Sequence, residues 1–143
     1  MTWGIDTPGV IEFPDGTRVR GRGLSKTMPA GELPEFGLYL LGEQPPAVEW
    51  ESSWVRWPDF RVPSDPAVAA AALVDAHRRA QSARVELACR GGRGRTGTAL
   101  ACLAVIGGVS PDDAVAYVRR KYHPKAVETP FQRRFVARFA RLL

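Results

Sequence analysis

The sequence predicts an α/β fold, with a short, mostly parallel central sheet flanked by helices and an N-terminal β-hairpin. Three observations lead to this prediction. Short segments bounded by Gly or Pro predict strands in the first half of the chain. Capping residues followed by proline mark helix starts in the second half. A glycine-rich loop joins the last predicted strand to the next helix, as expected at the carboxyl end of a buried strand.

Four short segments predict strands: Val10–Phe13, Thr17–Arg22, Leu38–Leu41 and Ser53–Trp57. The first two flank Pro14-Asp15-Gly16, a turn sequence that predicts a β-hairpin. Leu24–Pro34 is rich in Gly and Pro and predicts a loop. We therefore expect one domain over residues 1–143, in which residues 1–35 form a hairpin and loop extension.

Three helices are predicted to begin at a capping residue followed by proline: Asp65-Pro66, Ser110-Pro111 and Thr129-Pro130. The first should run to about Ser82 and bury one apolar face: Val68, Ala72, Leu73 and Ala76. A strand at Val85–Ala88 and a helix from about Thr96 to Ile106 flank the glycine-rich loop. In the last helix, four side chains at helical spacing are expected in the core: Phe131, Phe135, Phe139 and Leu142.

The composition is that of an ordinary globular domain, with 45% hydrophobic and 24% charged residues. The net charge of +5 suits phosphorylated ligands or nucleic acid. The arginines form three groups: Arg18, Arg20 and Arg22 on a strand; Arg90, Arg93 and Arg95 among glycines; and Arg133, Arg134, Arg138 and Arg141 on the last helix. Solvated faces explain the first and third groups, so no nucleic-acid partner is expected.

The cysteine content and the N-terminus predict the compartment. Cys89 and Cys102 are the only cysteines, which argues against a disulfide framework and favours a reducing compartment. The first residues lack the basic region and apolar core of a signal peptide. The longest apolar run, Thr98–Val109, is broken by two glycines and is too short to span a bilayer. We therefore expect a cytoplasmic protein without membrane insertion.

The segment from Cys89 to Gly97 carries the candidate chemistry: Cys-Arg-Gly-Gly-Arg-Gly-Arg-Thr-Gly. Its glycines let successive backbone N–H groups converge, and a helix N-terminus follows, so the loop should bind an anion such as phosphate. A helix N-terminus and a guanidinium both favour the thiolate form of Cys89. The planar guanidinium of Arg95 can hold two phosphate oxygens.

Cys89, five intervening residues and Arg95-Thr96 resemble the active-site loop of the protein tyrosine phosphatase superfamily. Trp57-Pro58-Asp59 is similar to the mobile acid loop of the same superfamily, and its separation from Cys89 resembles that of the compact, dual-specificity-like members. Thr129–Phe135 looks like the glutamine-bearing segment of tyrosine phosphatases. The resemblance covers the chain from about Leu38 to the C-terminus and implies a phosphotyrosine-phosphatase-like fold.

The resemblance also implies a role for each matching residue. Cys89 would attack phosphorus and form a phosphocysteine, while Asp59 would protonate the leaving oxygen and later take a proton from water. Thr96 would hydrogen-bond the sulfur, and Gln132, with Glu128 in place of a second glutamine, would position water. The phosphoryl oxygens would bind the Arg95 side chain and the backbone N–H groups of Arg90, Gly91, Gly92, Arg93, Gly94 and Arg95. No metal or cofactor is expected.

The sequence departs from the family pattern in three places: Ala88 stands where many members have histidine, Glu128 stands in place of a second glutamine, and the extended phosphotyrosine-recognition loop of the larger enzymes has no match. The missing loop leaves the substrate open. Phosphotyrosine in proteins is the first expectation, with phosphoserine or phosphothreonine as further substrates. Arg90 and Arg93 resemble in position the lysines of lipid-phosphate phosphatases, which makes phosphoinositides or other polyphosphorylated molecules an alternative. A phosphate-binding module without turnover and a sulfur-transfer or arsenate-reducing enzyme are the remaining alternatives.

Other interpretations of the loop fit less well. Three of its glycines satisfy the dinucleotide-binding pattern G-x-G-x-x-G, but the next elements are helices, and no second strand ends in an acidic residue. A Walker A loop would need Gly at position 89 and Lys at position 95. Individual residues also have ordinary structural explanations: a buried thiol for Cys89, a turn residue for Asp59 and a first-turn helix residue for Gln132.

Overall fold

The computed structural model describes residues 1–143. Five strands are present: β1 (Val10–Glu12), β2 (Arg18–Gly23), β3 (Phe36–Leu41), β4 (Glu51–Arg56) and β5 (Val85–Cys89). Four helices accompany them: α1 (Pro66–Arg79), α2 (Gly94–Ile106), α3 (Ala114–Lys121) and α4 (Pro130–Arg138). A short 3₁₀-helix, Phe139–Leu142, follows α4.

The strands form one sheet in the order β1-β2-β5-β3-β4. β1 and β2 pair antiparallel, whereas β2, β5, β3 and β4 run parallel, so the predicted parallel sheet and N-terminal hairpin are confirmed. In the register of the sheet, Cys89 lies beside Gly23 of β2, and Ala88 lies beside Tyr39 of β3. The carboxyl ends of three parallel strands therefore meet where β5 ends, which is where α/β sheets bind ligands.

Helix α2 is the centre of the helical layer. It packs against β5 and β2 and contacts α1, α3 and α4. Every residue from Gly94 to Ala104 is buried. A helix enclosed on all sides needs no polar face, which explains the small, apolar sequence of α2.

Glu86 of β5 is the centre of a buried charge cluster on one face of the sheet. The Glu86 carboxylate is inaccessible to solvent and accepts hydrogen bonds from Arg20 at 2.7 Å, from Arg22 at 2.8 Å and from Tyr39 at 2.9 Å. Residues outside the helices cover the cluster: Trp3, Met28 and Trp50. The prediction of a solvated arginine face on β2 is therefore wrong for Arg20, because the single acidic residue within apolar β5 requires a buried counter-charge.

The predicted inner face of helix α1 is confirmed at Leu73 and Ala76 and, in part, at Ala72, but it is wrong at Val68. Ala69, Ala70, Leu73 and Ala76 face the core, whereas Val68 is 55% exposed. Positions 67–74 are all apolar, so the pattern does not distinguish the inner face from the outer one.

The last two helices also differ in part from prediction. α3 begins at Ala114 rather than at Pro111, since residues 111–113 form a turn. In and after α4, Phe139 is fully buried as predicted, but Phe131 is 65% exposed and Leu142 is 40% exposed. Phe131 instead lines a surface pocket with Phe60. No helix has the length and apolar character needed to cross a bilayer.

Candidate active site

The Cys89 side chain lines an open cavity of about 240 Å³ at the carboxyl end of β5. Its sulfur accepts a hydrogen bond from the Gly92 backbone N–H at 3.2 Å and another from the Thr96 hydroxyl at 3.0 Å. Hydrogen bonds donated to a sulfur favour its anionic form. Helix α2 begins at Gly94 and directs the positive end of its dipole towards the same loop. Two hydrogen-bond donors and the N-terminus of α2 thus converge on the Cys89 sulfur.

The loop after β5 packs closely against the end of β2. Gly92 has a φ of +76°, and a β-carbon there would lie 2.6 Å from the backbone nitrogen of Gly23. Gly91, in contrast, has open space where its β-carbon would be. The segment after β2 continues the pairing, because Leu24 N–H donates to the Cys89 carbonyl at 2.8 Å. This packing holds the loop in the shape that turns the Gly92 N–H towards the sulfur.

Arg95 connects the loop to the segment that follows β4. It is only 4% exposed and lines the same cavity as Cys89. Its Nη1 donates to the Trp57 carbonyl at 3.1 Å, and its Nη2 lies 3.5 Å from Oδ1 of Asp59. The guanidinium therefore faces the cavity that Cys89 also lines, with its orientation set by two contacts.

Asp59 reaches the cavity because the residue before Pro58 is anchored in the core. Trp57 is fully buried, its indole N–H donates to the Arg61 carbonyl at 2.6 Å, and its ring meets the edge of Phe135 at 5.9 Å. The Asp59 side chain remains 58% exposed and lines the cavity. An acid held on an anchored segment and facing solvent is placed to exchange protons with a bound substrate.

Phe60 forms an aromatic part of the cavity wall that the sequence analysis did not single out. Its backbone is left-handed, with a φ of +60°, and its side chain is 58% exposed. A non-glycine residue in this conformation stores strain of about 1–3 kcal/mol, and such strain concentrates at functional sites. The conformation directs a large apolar ring to the mouth of the cavity rather than into the core.

The structure separates the two arginines that were expected to surround the phosphate. Arg90 pairs with Glu43 at 2.7 Å and does not line the cavity. Arg93 lines the cavity and has no carboxylate within 4.0 Å of its guanidinium. Lys26, from the loop after β2, also lines the cavity. Nothing in the sequence around Lys26 signals this position, because the contact arises from the pairing of β2 with β5.

Gln132 is fully buried and does not line the cavity. Its Oε1 accepts the N–H groups of Glu128 at 2.9 Å and Thr129 at 3.2 Å, which completes the capping box of α4. Its Nε2 donates to the Arg61 carbonyl at 3.1 Å. The side-chain amide of Gln132 therefore links α4 to the segment that carries Asp59.

Glu128 does line the cavity, so the two residues expected to position water are placed differently. Its carboxylate lies over Gly94, where a β-carbon would clash with it. Arg119 fixes the preceding segment by donating to the carbonyls of Ala126 at 2.8 Å and Val127 at 2.7 Å. The cavity therefore holds two carboxylates, those of Asp59 and Glu128.

Tyr122 and His123 lie on the other side of the loop. Tyr122 donates to the Gly92 carbonyl at 2.6 Å, and burial, followed by the charge of the nearby Cys89, raises the pKa of Tyr122. Burial, followed by the cations Arg93, Lys26 and Lys125, lowers the pKa of His123.

Taken together, the cavity gathers most of the residues singled out from the sequence: Cys89, Gly91, Arg93, Gly94, Arg95, Asp59 and Glu128. Thr96 contacts the sulfur from within α2. No group of three or more His, Cys, Asp or Glu side chains converges as a metal site would require.

The fold and this site define a domain of the protein tyrosine phosphatase superfamily, of the compact, dual-specificity-like type. Within it, the chain belongs to the PTP-SAK family, described as the DSP-PTPase phosphatase domain of Swiss Army Knife proteins, whose profile matches residues 55–136. An uncharacterised protein of Methanocaldococcus jannaschii is 41% identical over 58 residues, which are 41% of this chain and 35% of the relative. The match thus spans only about a third of that relative's length.

Solved structures show the same fold. Tk-PTP in its active form superposes with a TM-score of 0.67 at 27% identity, over 77% of this chain and 80% of that one. A kinase associated phosphatase carrying a serine at its catalytic-site cysteine gives 0.62 at 15% identity, over 75% and 68% of the two chains. PTPMT1 in complex with PI(5)P gives 0.62 at 16% identity, over 75% and 76%. The last two similarities concern the fold alone.

Proposed function

We propose that this phosphatase domain hydrolyses phosphotyrosine in proteins, and also phosphoserine or phosphothreonine, through a phosphocysteine intermediate. The observation that carries the proposal is the convergence of Cys89, Arg95 and Asp59 on one open cavity. Phe60 supports the choice of phosphotyrosine, because an exposed ring at the mouth of the cavity can pack against an aromatic leaving group. The cytoplasm is the proposed location.

In the first step, the Cys89 thiolate attacks phosphorus while the bond from phosphorus to the tyrosine oxygen breaks. Protonated Asp59 gives its proton to that oxygen, since a phenolate is a poor leaving group. Arg95 and the N–H groups of residues 90–95 hold the three equatorial oxygens. The products are tyrosine and phosphocysteine.

In the second step, water attacks the phosphocysteine, the phosphorus–sulfur bond breaks, and inorganic phosphate and the thiolate are released. The Asp59 carboxylate takes a proton from the water, and Thr96 stabilises the departing sulfur through its hydrogen bond. We assign the positioning of this water to Glu128 rather than to Gln132, because Glu128 faces the cavity and the amide of Gln132 is already occupied.

A second candidate function keeps this chemistry and changes the substrate to phosphoinositides or other polyphosphorylated small molecules. Lys26 and Arg93 favour it, because both line the cavity without a carboxylate partner. The neighbour PTPMT1 was solved with a phosphoinositide. Arg90 weakens this candidate, since its guanidinium is paired with Glu43 and does not line the cavity of Cys89.

The experiment compares hydrolysis of p-nitrophenyl phosphate, phosphotyrosine, phosphoserine and phosphothreonine peptides, and inositol phosphates. Wild-type protein should cleave the phosphotyrosine peptides with the highest kcat/KM, and Cys89→Ser should cleave none of the substrates while still binding them. Cys102→Ala is the matched control and should keep its activity, because Cys102 lies in the core. Turnover by Cys89→Ser would exclude the mechanism, and wild-type binding without turnover would indicate a phosphate-binding module.

A further inference from the structure

Tyr122, the residue that follows helix α3, is hydrogen-bonded to the loop over residues 89–95. Its hydroxyl donates to the Gly92 carbonyl at 2.6 Å. Burial, followed by the charge of Cys89, raises the pKa of Tyr122, so the hydroxyl stays protonated and remains a donor at neutral pH. The mechanism proposed above gives this contact no role.

The Tyr122 ring lies in a slot of the sheet that a glycine leaves open. A β-carbon on Gly21 of β2 would lie 2.6–2.7 Å from Cε1, Cζ and the hydroxyl oxygen of Tyr122. Gly21 pairs with Leu87 of β5, the strand that ends at Cys89. The missing side chain at position 21 therefore makes room for the ring next to the strand that carries the nucleophile.

The three preceding carbonyls of the loop accept hydrogen bonds from the segment that follows β2. The bonds run from the Leu24 N–H to Cys89 at 2.8 Å, from the Ser25 hydroxyl to Arg90 at 2.8 Å and from the Lys26 ammonium to Gly91 at 3.2 Å. That segment does not bond the Gly92 carbonyl, and Tyr122 supplies the donor instead. Four successive loop carbonyls are therefore fixed by donors from outside the loop.

The Gly92 carbonyl shares a planar peptide unit with the Arg93 N–H. The peptide bonds of the chain are trans, so these two groups point in opposite directions. The carbonyl points to Tyr122, which does not line the active-site cavity, whereas Arg93 does line it. The Arg93 N–H donates to no acceptor within the protein, which leaves it available to an anion.

We propose that Tyr122 is a positioning residue: by holding the Gly92 carbonyl, it turns the Arg93 N–H towards the phosphoryl group that Cys89 attacks. The inference rests on the proposed phosphatase mechanism, in which N–H groups of the loop bind the equatorial oxygens. Without the hydroxyl, the peptide unit can rotate, because Gly92 has no side chain to restrict its backbone. One preorganised donor to the transition state is then lost.

The test compares Tyr122→Phe with Tyr117→Phe. The first variant removes the hydroxyl and keeps the ring, and the second removes a bond of the same length, from the Tyr117 hydroxyl to the Glu12 carbonyl at 2.6 Å. Tyr122→Phe should lower kcat/KM at least about tenfold, by the same factor for p-nitrophenyl phosphate and phenyl phosphate, because the lost donor acts on the phosphoryl oxygens and not on the leaving oxygen. Tyr117→Phe should match the wild type.

A second measurement follows the Arg93 amide by NMR, with tungstate as a tetrahedral oxyanion. Tungstate should move the Arg93 amide proton downfield in the wild type and in Tyr117→Phe, and much less in Tyr122→Phe. A purely structural role of Tyr122 would lower the urea midpoint of Tyr122→Phe and leave both this shift and kcat/KM unchanged. That result would overturn the inference.

Gly21→Ala tests the same contact without altering the tyrosine. Its β-carbon should displace the Tyr122 ring and lower kcat/KM at least as much as Tyr122→Phe does. Adding Tyr122→Phe to Gly21→Ala should then cost little more, because the hydroxyl is already displaced from Gly92. Losses that multiply in the double variant would show that the two residues act separately, against the inference.

The outcomes separate this inference from the proposed function. An active wild type together with an equally active Tyr122→Phe would overturn the inference and leave the function intact. A larger loss on phenyl phosphate than on p-nitrophenyl phosphate would also overturn it, since Tyr122 would then act through the acid Asp59. A wild type that hydrolyses neither substrate would overturn the proposed function, whereas the tungstate shift would still decide the orientation of the Arg93 N–H.

Discussion

Two hydrogen bonds converge on the Cys89 sulfur, and the Thr96 hydroxyl provides one of them at 3.0 Å. A hydrogen bond to a charged group contributes about 1.5–3 kcal/mol, so its loss should slow the release of the thiolate roughly ten- to a hundredfold. Thr96→Ala should therefore show a burst of p-nitrophenol followed by slow turnover in stopped-flow measurements. Thr96→Ser keeps the hydroxyl and should behave like wild type; a Thr96→Ala protein with normal kcat and no burst would contradict this role.

The general-acid role proposed for Asp59 predicts that the effect of its removal depends on the leaving group. General acids contribute about 10²–10⁴-fold to rates, and the contribution is largest when the leaving oxygen is strongly basic. Asp59→Asn should therefore reduce kcat/KM far more for phenyl phosphate than for p-nitrophenyl phosphate. Asp65→Asn is the control, because Asp65 caps α1 through the Val68 N–H and Asn is an equally good cap. Equal losses on both substrates would argue against proton donation by Asp59.

At the scale of elements, the geometry of the loop over residues 89–95 should depend more on Gly92 than on its neighbour Gly91. Gly92→Ala introduces a side chain at a φ of +76°, 2.6 Å from the Gly23 nitrogen, whereas Gly91→Ala points into open space. We expect Gly92→Ala to lose at least a hundredfold in kcat/KM and Gly91→Ala to lose less than about threefold. Activity assays combined with circular dichroism on both proteins distinguish loss of loop geometry from unfolding. Comparable activity in the two variants would show that the close packing is unimportant.

Elements and site residues differ in how far the sequence predicts them. The β5–loop–α2 unit is local in sequence, so its strand, glycines and nucleophile are all visible in one segment. Lys26 comes from a distant loop that reaches the site only through sheet pairing, and no local pattern reports such a contact. Gln132 shows the opposite error, in which a local pattern suggests a role that the fold does not support. Its place in a recognisable segment indicates water positioning, while the fold uses the same amide to cap α4.

At the scale of the whole molecule, Glu86 holds together β2, β3 and β5. Removing one partner of a buried ion pair costs about 3–5 kcal/mol, because the remaining charge stays buried. We expect Glu86→Gln to lower the free energy of unfolding by an amount in this range, measured by urea denaturation at pH 7. Glu12→Gln, which breaks the partly exposed pair with Arg18, should cost less than about 1 kcal/mol. A loss below 1 kcal/mol for Glu86→Gln would contradict the importance of the cluster.

The same cluster predicts acid sensitivity. Burial acts to raise the pKa of Glu86, but the hydrogen bonds from Arg22 and Arg20 outweigh it and lower the pKa below the ordinary value of 4.5. The unfolded chain therefore binds more protons than the folded chain in acid, and the contribution of Glu86 to stability is lost as the pH falls below about 4.5. The stability difference between wild type and Glu86→Gln should shrink from pH 7 towards pH 3; a constant difference would contradict this assignment.

The two thiols of the chain occupy very different surroundings. Both thiols are buried, but Cys102 is enclosed in α2, where burial raises its pKa well above the usual value, whereas Cys89 lines the active-site cavity. A chromogenic disulfide reagent should consequently release one equivalent of colour per native chain and a second equivalent only after denaturation. The colour released by the native protein therefore measures how many molecules in a preparation have a reactive Cys89. Specific activities from different batches can be normalised to that number.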